Sequence, residues 1–141
     1  MRILTSILLL LLAASVMAQE KDKWQRIYTF DDSVIEINAS AVTFVDNSTG
    51  RVTFRTVWSK PQTLRDRSDV KYKTRLETME FKCAERRYRS YEVTLLDSKG
   101  KPVQSYEMDK TEEWKHLKSG GMMEKLFGAA CQLIAGKRGE A

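Results

Sequence analysis

Along residues 24–106 apolar and polar positions alternate in short runs rich in Val, Ile, Thr, Tyr and Phe. A period of two places successive side chains on opposite faces of a strand, so these runs predict five or six half-buried strands. Runs 24–30 and 34–37 flank Asp31-Asp32-Ser33 and predict a tight hairpin. Runs 42–45 and 51–58 flank the pentapeptide Asp46-Asn47-Ser48-Thr49-Gly50, the strongest hairpin signal in the chain. Within 51–58, Val52, Phe54 and Trp58 share one face while Arg51, Thr53 and Arg55 share the other, so one side packs and the other meets solvent. Pro61 is expected to end that arm. A charged loop at 64–69 leads into run 70–83, whose parity slips: Tyr72 and Leu76 keep one phase, Met79, Phe81 and Cys83 the other. A β-bulge near Glu77 would reconcile the two. Run 86–96 aligns Tyr91, Val93 and Leu95, and Asp97-Ser98-Lys99-Gly100 turns the chain into 101–106.

The period changes after Ser119-Gly120-Gly121. Over 122–135, Met123, Leu126, Phe127, Ala130, Cys131 and Ile134 recur at helical spacing and form one apolar stripe. Gly136 predicts the stop, with Lys137 and Arg138 at the negative end of the helix dipole. Trp24, Trp58 and Trp114 are each expected to cap part of the sheet, at least two of them as core. The fold class expected is α+β: a curved antiparallel sheet of about six strands with a C-terminal helix packed on it.

Residues 1–18 add a compartment to this picture. Met1-Arg2 precedes an apolar run interrupted only by Thr5 and Ser6, and Ala13-Ala14-Ser15-Val16-Met17-Ala18 supplies small residues for cleavage after Ala18. These are the parts of a secretory signal peptide. The run is shorter than the roughly 20 residues that span a bilayer, and no second apolar stretch of that length follows, so no integral membrane segment is expected after processing. Export would bring Cys83 and Cys131 into an oxidising environment, where two cysteines allow a single connectivity. That disulfide would pin the helix to the sheet and, by chain entropy, contribute about 4 kcal/mol. The expected organisation is a signal peptide at 1–18, a flexible N-terminus at 19–23, one domain at 24–136 and a tail at 137–141.

With 24 Lys and Arg against 19 Asp and Glu, the chain carries a net charge of +5, and it stays basic once Arg2 leaves with the signal peptide. Such a balance suits anionic partners. Arg86, Arg87, Tyr88 and Arg89, with Lys71, Lys73 and Arg75 upstream, interleave cations with an aromatic ring and make the candidate ligand-binding surface. The same residues also fit a solvated strand face whose charge Glu77, Glu80 and Glu85 offset. Export argues against nucleic acid as a partner. One His and two Cys cannot build a four-ligand zinc site without carboxylates, and they leave few parts for acid/base or nucleophilic chemistry. His116 stands alone, Asp31 and Asp32 fit turn chemistry, and Gly120-Gly121 lacks the other parts of a phosphate loop. No catalytic, cofactor-binding or metal residue is assigned, and no enzyme activity is expected.

Trp24, Tyr28, Asp32-Ser33-Val34-Ile35, Val57-Trp58-Ser59-Lys60, the segment Glu80-Phe81-Lys82-Cys83-Ala84-Glu85-Arg86-Arg87-Tyr88-Arg89, Asp97-Ser98-Lys99-Gly100, Trp114, Ser119 and a terminal helix holding Cys131 form a recognisable set. Over about residues 24–134 the chain resembles the surface-adhesin protein E family of exported bacterial proteins. The resemblance implies a bent sheet of about six strands with a disulfide-held C-terminal helix. It also implies adhesin-like binding of host matrix proteins such as vitronectin and laminin, and a candidate homodimer. It brings no catalytic residue. Members of this kind can be lipid-anchored at the outer membrane, whereas this chain has no Cys near the cleavage site. A periplasmic or secreted location is therefore expected, with the cell surface as a further destination. The expected function is an exported non-enzymatic binding module that engages an extracellular-matrix or cell-envelope protein or polysaccharide through its sheet surface. The alternative is a structural periplasmic protein that homodimerises without a host ligand.

Overall fold

The computed structural model describes residues 22–108 and 113–140, so the expected signal peptide lies outside the described residues. The chain runs β1 (Trp24–Thr29), β2 (Ser33–Asn38), β3 (Thr43–Phe44), β4 (Gly50–Leu64), β5 (Arg67–Lys82), β6 (Arg87–Leu96), β7 (Pro102–Glu107), β8 (Lys115–His116) and α1 (Met122–Gly139). The strands form one open antiparallel sheet in the order β1-β2-β4-β5-β6-β7, with the two-residue strands β3 and β8 pairing β4 and β6. The expected architecture of about six strands and a terminal helix is the observed one.

Directly opposed residues of an antiparallel pair share a face. Ile37 opposes Phe54, Val52 opposes Met79 and Gly50 opposes Phe81, which defines the side that α1 covers. Leu126, Phe127, Ala130 and Ile134 of the helix are buried there against Ile35, Ile37, Val52, Phe54, Met79 and Phe81. Phe81 meets Phe54 and Phe127 edge-on, with ring centroids 6.0 and 5.6 Å apart. Gly50 lets the helix settle close: a Cβ built there would lie 2.6 Å from Ile134 Cδ1. The Cys83–Cys131 disulfide joins the end of β5 to the middle of α1, with Cα atoms 5.8 Å apart.

Several expectations on element limits are corrected. Run 42–45 contributes only the two residues of β3, and the long neighbour of β4 on that side is β2. Pro61 does not end β4. Val57 opposes Thr74 and Gln62 opposes Tyr72, so four residues of β4 stand against Lys73 alone. In such a bulge Pro61 is asked for no ladder N–H. The bulge expected in β5 near Glu77 belongs to β6: Thr78 opposes Glu92 and Met79 opposes Ser90, which leaves Tyr91 as the extra residue. Tyr91 therefore leaves the face it was expected to share with Val93 and Leu95, while those two remain buried. Gly136 does not stop the helix, which runs to Gly139. Arg138 holds the extra turn down by donating to the backbone carbonyls of Asn47 and Asp46 and by lying over the Phe44 ring. This anchoring offsets the roughly 1 kcal/mol that an internal glycine costs a helix. None of the three tryptophans is fully buried.

Candidate functional site

The side of the sheet opposite α1 is covered by no helix among the described residues, and its chemistry follows from the same registers. Arg51 opposes Glu80, Thr53 opposes Thr78, and Glu80 in turn opposes Arg89 on β6. Glu80 is only 2% exposed, and it is held between two guanidinium groups. Arg89 Nε donates to its Oε1 at 3.0 Å, and Arg51 Nη2 lies 3.5 Å from its Oε2. Burying a carboxylate is costly unless it is paired and hydrogen-bonded, and here two strands supply one cation each. Below this cluster Thr53 Oγ1 and Thr78 Oγ1 share a hydrogen bond of 2.8 Å. Beyond it Arg55 pairs with Glu36 across β2 and β4.

The cations of this face rest on aromatic rings. The Arg51 guanidinium lies 3.6 Å from the centroid of Tyr91, which the β6 bulge has turned to this side. Arg55 stands 4.3 Å over Trp24, and Trp114 carries both Arg89 at 4.3 Å and Lys82 at 4.6 Å. A ring attracts a cation through its quadrupole, and a planar guanidinium stacks on its face. Such side chains are already ordered, so less entropy is lost when they meet a partner. Around Glu80 this end of the face brings together Arg51, Arg89 and Lys82. A cavity of about 270 Å³ opens here between Val45, Arg51, Arg89, Tyr91 and Met108. A broader hollow of about 590 Å³ lies by the β1–β2 turn, among Phe30, Asp32, Glu36, Arg55, Trp58 and Lys73.

The candidate residues read from the sequence do not form one stripe. Arg86 is exposed in the turn after β5, with φ of 53°, and its carbonyl accepts from Leu117 N at 2.9 Å. Arg87 opposes His116 of β8, whereas Tyr88 packs against the core on the helix side. Arg89 is on the uncovered face with Glu80 and Trp114. Lys71, Lys73 and Arg75 sit toward the other end of β5; Lys71 and Lys82 are 11 residues apart on that strand, about 36 Å at its rise per residue. Arg75 pairs with Glu77 at 3.1 Å. Sequence reasoning missed Arg51, Arg55, Lys82, Trp24, Tyr91 and Trp114 as members of one surface. The parity of Arg51, Thr53 and Arg55 was the available signal, but the rings beneath them come from β1, β6 and the segment before β8.

No helix among the described residues is long and apolar enough to cross a membrane. A family model for surface-adhesin protein E matches residues 19–132. No curated protein matches the chain.

Proposed function

The chain belongs to the surface-adhesin protein E family, and from that premise, which supports an adhesin-like role, we propose that it is an exported, non-enzymatic binding module. Its uncovered sheet face engages acidic groups of a matrix or cell-envelope protein or polysaccharide. The observation that carries this reading is the set of cations stacked on Trp24, Tyr91 and Trp114, ordered before any partner arrives. Arginine and aromatic side chains are the types that dominate binding energy at interfaces. The family match begins one residue after Ala18, which supports removal of residues 1–18 on export. The test is surface plasmon resonance of the processed chain over immobilised laminin, vitronectin and heparin across a salt series. Saturable retention at low salt that weakens as salt rises is expected. Absence of retention on all three at low salt would remove the proposal.

The homodimer reading has one observation in its favour. Strand β7 closes one side of the sheet, and its Tyr106 is 39% exposed. An edge strand presents unpaired backbone groups to a second copy. Sedimentation at high protein concentration separates the readings: a dimer supports the second, and a monomer that still binds matrix supports the first alone.

A further inference from the structure

A smaller cavity lies on the helix side of the sheet, away from the face proposed to bind a matrix partner. It measures about 170 Å³ and is walled by Phe54, Trp58, Met79, Met122 and Leu126, with Arg75 and Glu77 at its polar end. Three facts about that end define what would fit. Arg75 Nη2 is 3.1 Å from Glu77 Oε2, so the two charges neutralise each other. Glu77 Oε1 accepts from Ser90 Oγ at 2.6 Å, so both carboxylate oxygens are engaged. Arg75 Nε is buried and finds no acceptor among the described residues. A buried N–H without an acceptor is unfavourable and calls for a partner.

We propose that this cavity is a binding site for a small uncharged ligand with an apolar body the size of one ring and a single carbonyl oxygen. The Arg75 Nε–H donates to that oxygen, and the ring lies among the aromatic and methionine side chains. An apolar cavity of about 150 Å³ takes up a benzene ring, so the space matches one ring with a short substituent. The methionines Met79 and Met122 adapt their unbranched side chains to the ligand's outline. Charge decides between acceptors. A ligand carboxylate would stand beside the Glu77 carboxylate, whose countercharge is already in use, whereas a carbonyl satisfies the donor without that repulsion. Because the site lies on the helix side, this inference does not depend on the uncovered face being the adhesive one.

The experiment follows the Arg75 Nε–H signal of nitrogen-15 labelled protein during titration with acetophenone, ethylbenzene and benzoate. Acetophenone is expected to shift that signal saturably, with ethylbenzene and benzoate binding at least about tenfold more weakly. In Arg75→Met the preference for acetophenone over ethylbenzene should vanish. Met122→Trp, which fills the cavity while leaving Arg75 in place, should abolish binding with the thermal midpoint kept. A flat acetophenone titration, a response that Met122→Trp leaves untouched, or a preference that survives Arg75→Met would each overturn the proposal.

Discussion

Glu80 shows how a single side chain organises the uncovered face. Its carboxylate accepts from Arg89 Nε and forms an ion pair with Arg51, which draws the two guanidinium groups together across β5. Glu80→Gln keeps the shape and removes the charge. The two arginines keep side-chain exposures of 24% and 22%, so solvent softens the loss, and a destabilisation of about 2 kcal/mol is expected. Urea unfolding should show a lower midpoint with an unchanged slope. Asp97 makes a second prediction at this scale. Backbone N–H groups of Lys101 and Lys99 donate to its carboxylate and hold its pKa below the usual aspartate value. A lowered folded-state value means that the turn's contribution is present above the unfolded pKa and is lost as pH falls through the lowered one. The Lys99 and Lys101 amide shifts should therefore move together, at a pH below the usual aspartate range; a midpoint at the ordinary value would contradict this. The alternation of Arg51, Thr53 and Arg55 was legible in the sequence, but the burial of Glu80 was not. It depends on which residue of β4 comes to oppose it, and register is a non-local property.

At the level of elements, local signals located most strands and failed where tertiary contacts outweighed them. The turn 97–100 and its two strands follow from Asp97 and Gly100, whose φ of 80° suits a glycine. Pro61 and Gly136 read as stops because a proline lacks its N–H and a glycine weakens a helix. A bulge of four residues absorbs the first, and the Arg138 contacts to the β3–β4 loop offset the second. The parity slip in 70–83 needed no extra residue in β5, since Tyr72 pairs edge-on with Trp58 while Met79 and Phe81 line the core. Gly50 is where β4 and α1 touch most closely, and three atoms of Ile134 would lie within 3.0 Å of an added Cβ. Because Ile134 is β-branched at this contact and cannot swing aside freely, Gly50→Ala is expected to cost about 1–3 kcal/mol. Thermal unfolding measures it, and a variant as stable as the parent would show that α1 is not seated as described.

For the whole molecule, the sheet gains its two unlike faces because one helix covers one of them. The disulfide spans a sequence separation of 48 and fixes α1 over β4 and β5. A closed loop of that length contributes about 4 kcal/mol in the chain-entropy model, so the double variant Cys83→Ser/Cys131→Ser should unfold at a correspondingly lower denaturant concentration. The sheet, the helix and their bond were legible from pattern and cysteine count, since each is a local or compositional signal. The distribution of cations over rings was not, because Trp24, Tyr91 and Trp114 reach the same face from three distant parts of the chain. That face is the centre of the functional account, and a comparison of two charge-matched variants on immobilised laminin tests it most directly. Arg55→Ala/Lys82→Ala removes two cations from the uncovered face, and Lys118→Ala/Lys125→Ala removes two exposed ones at and before the start of α1. The first pair is expected to weaken binding at least about tenfold while the second leaves it unchanged. Equal losses in both, or a loss confined to the second, would contradict the assignment of the adhesive surface.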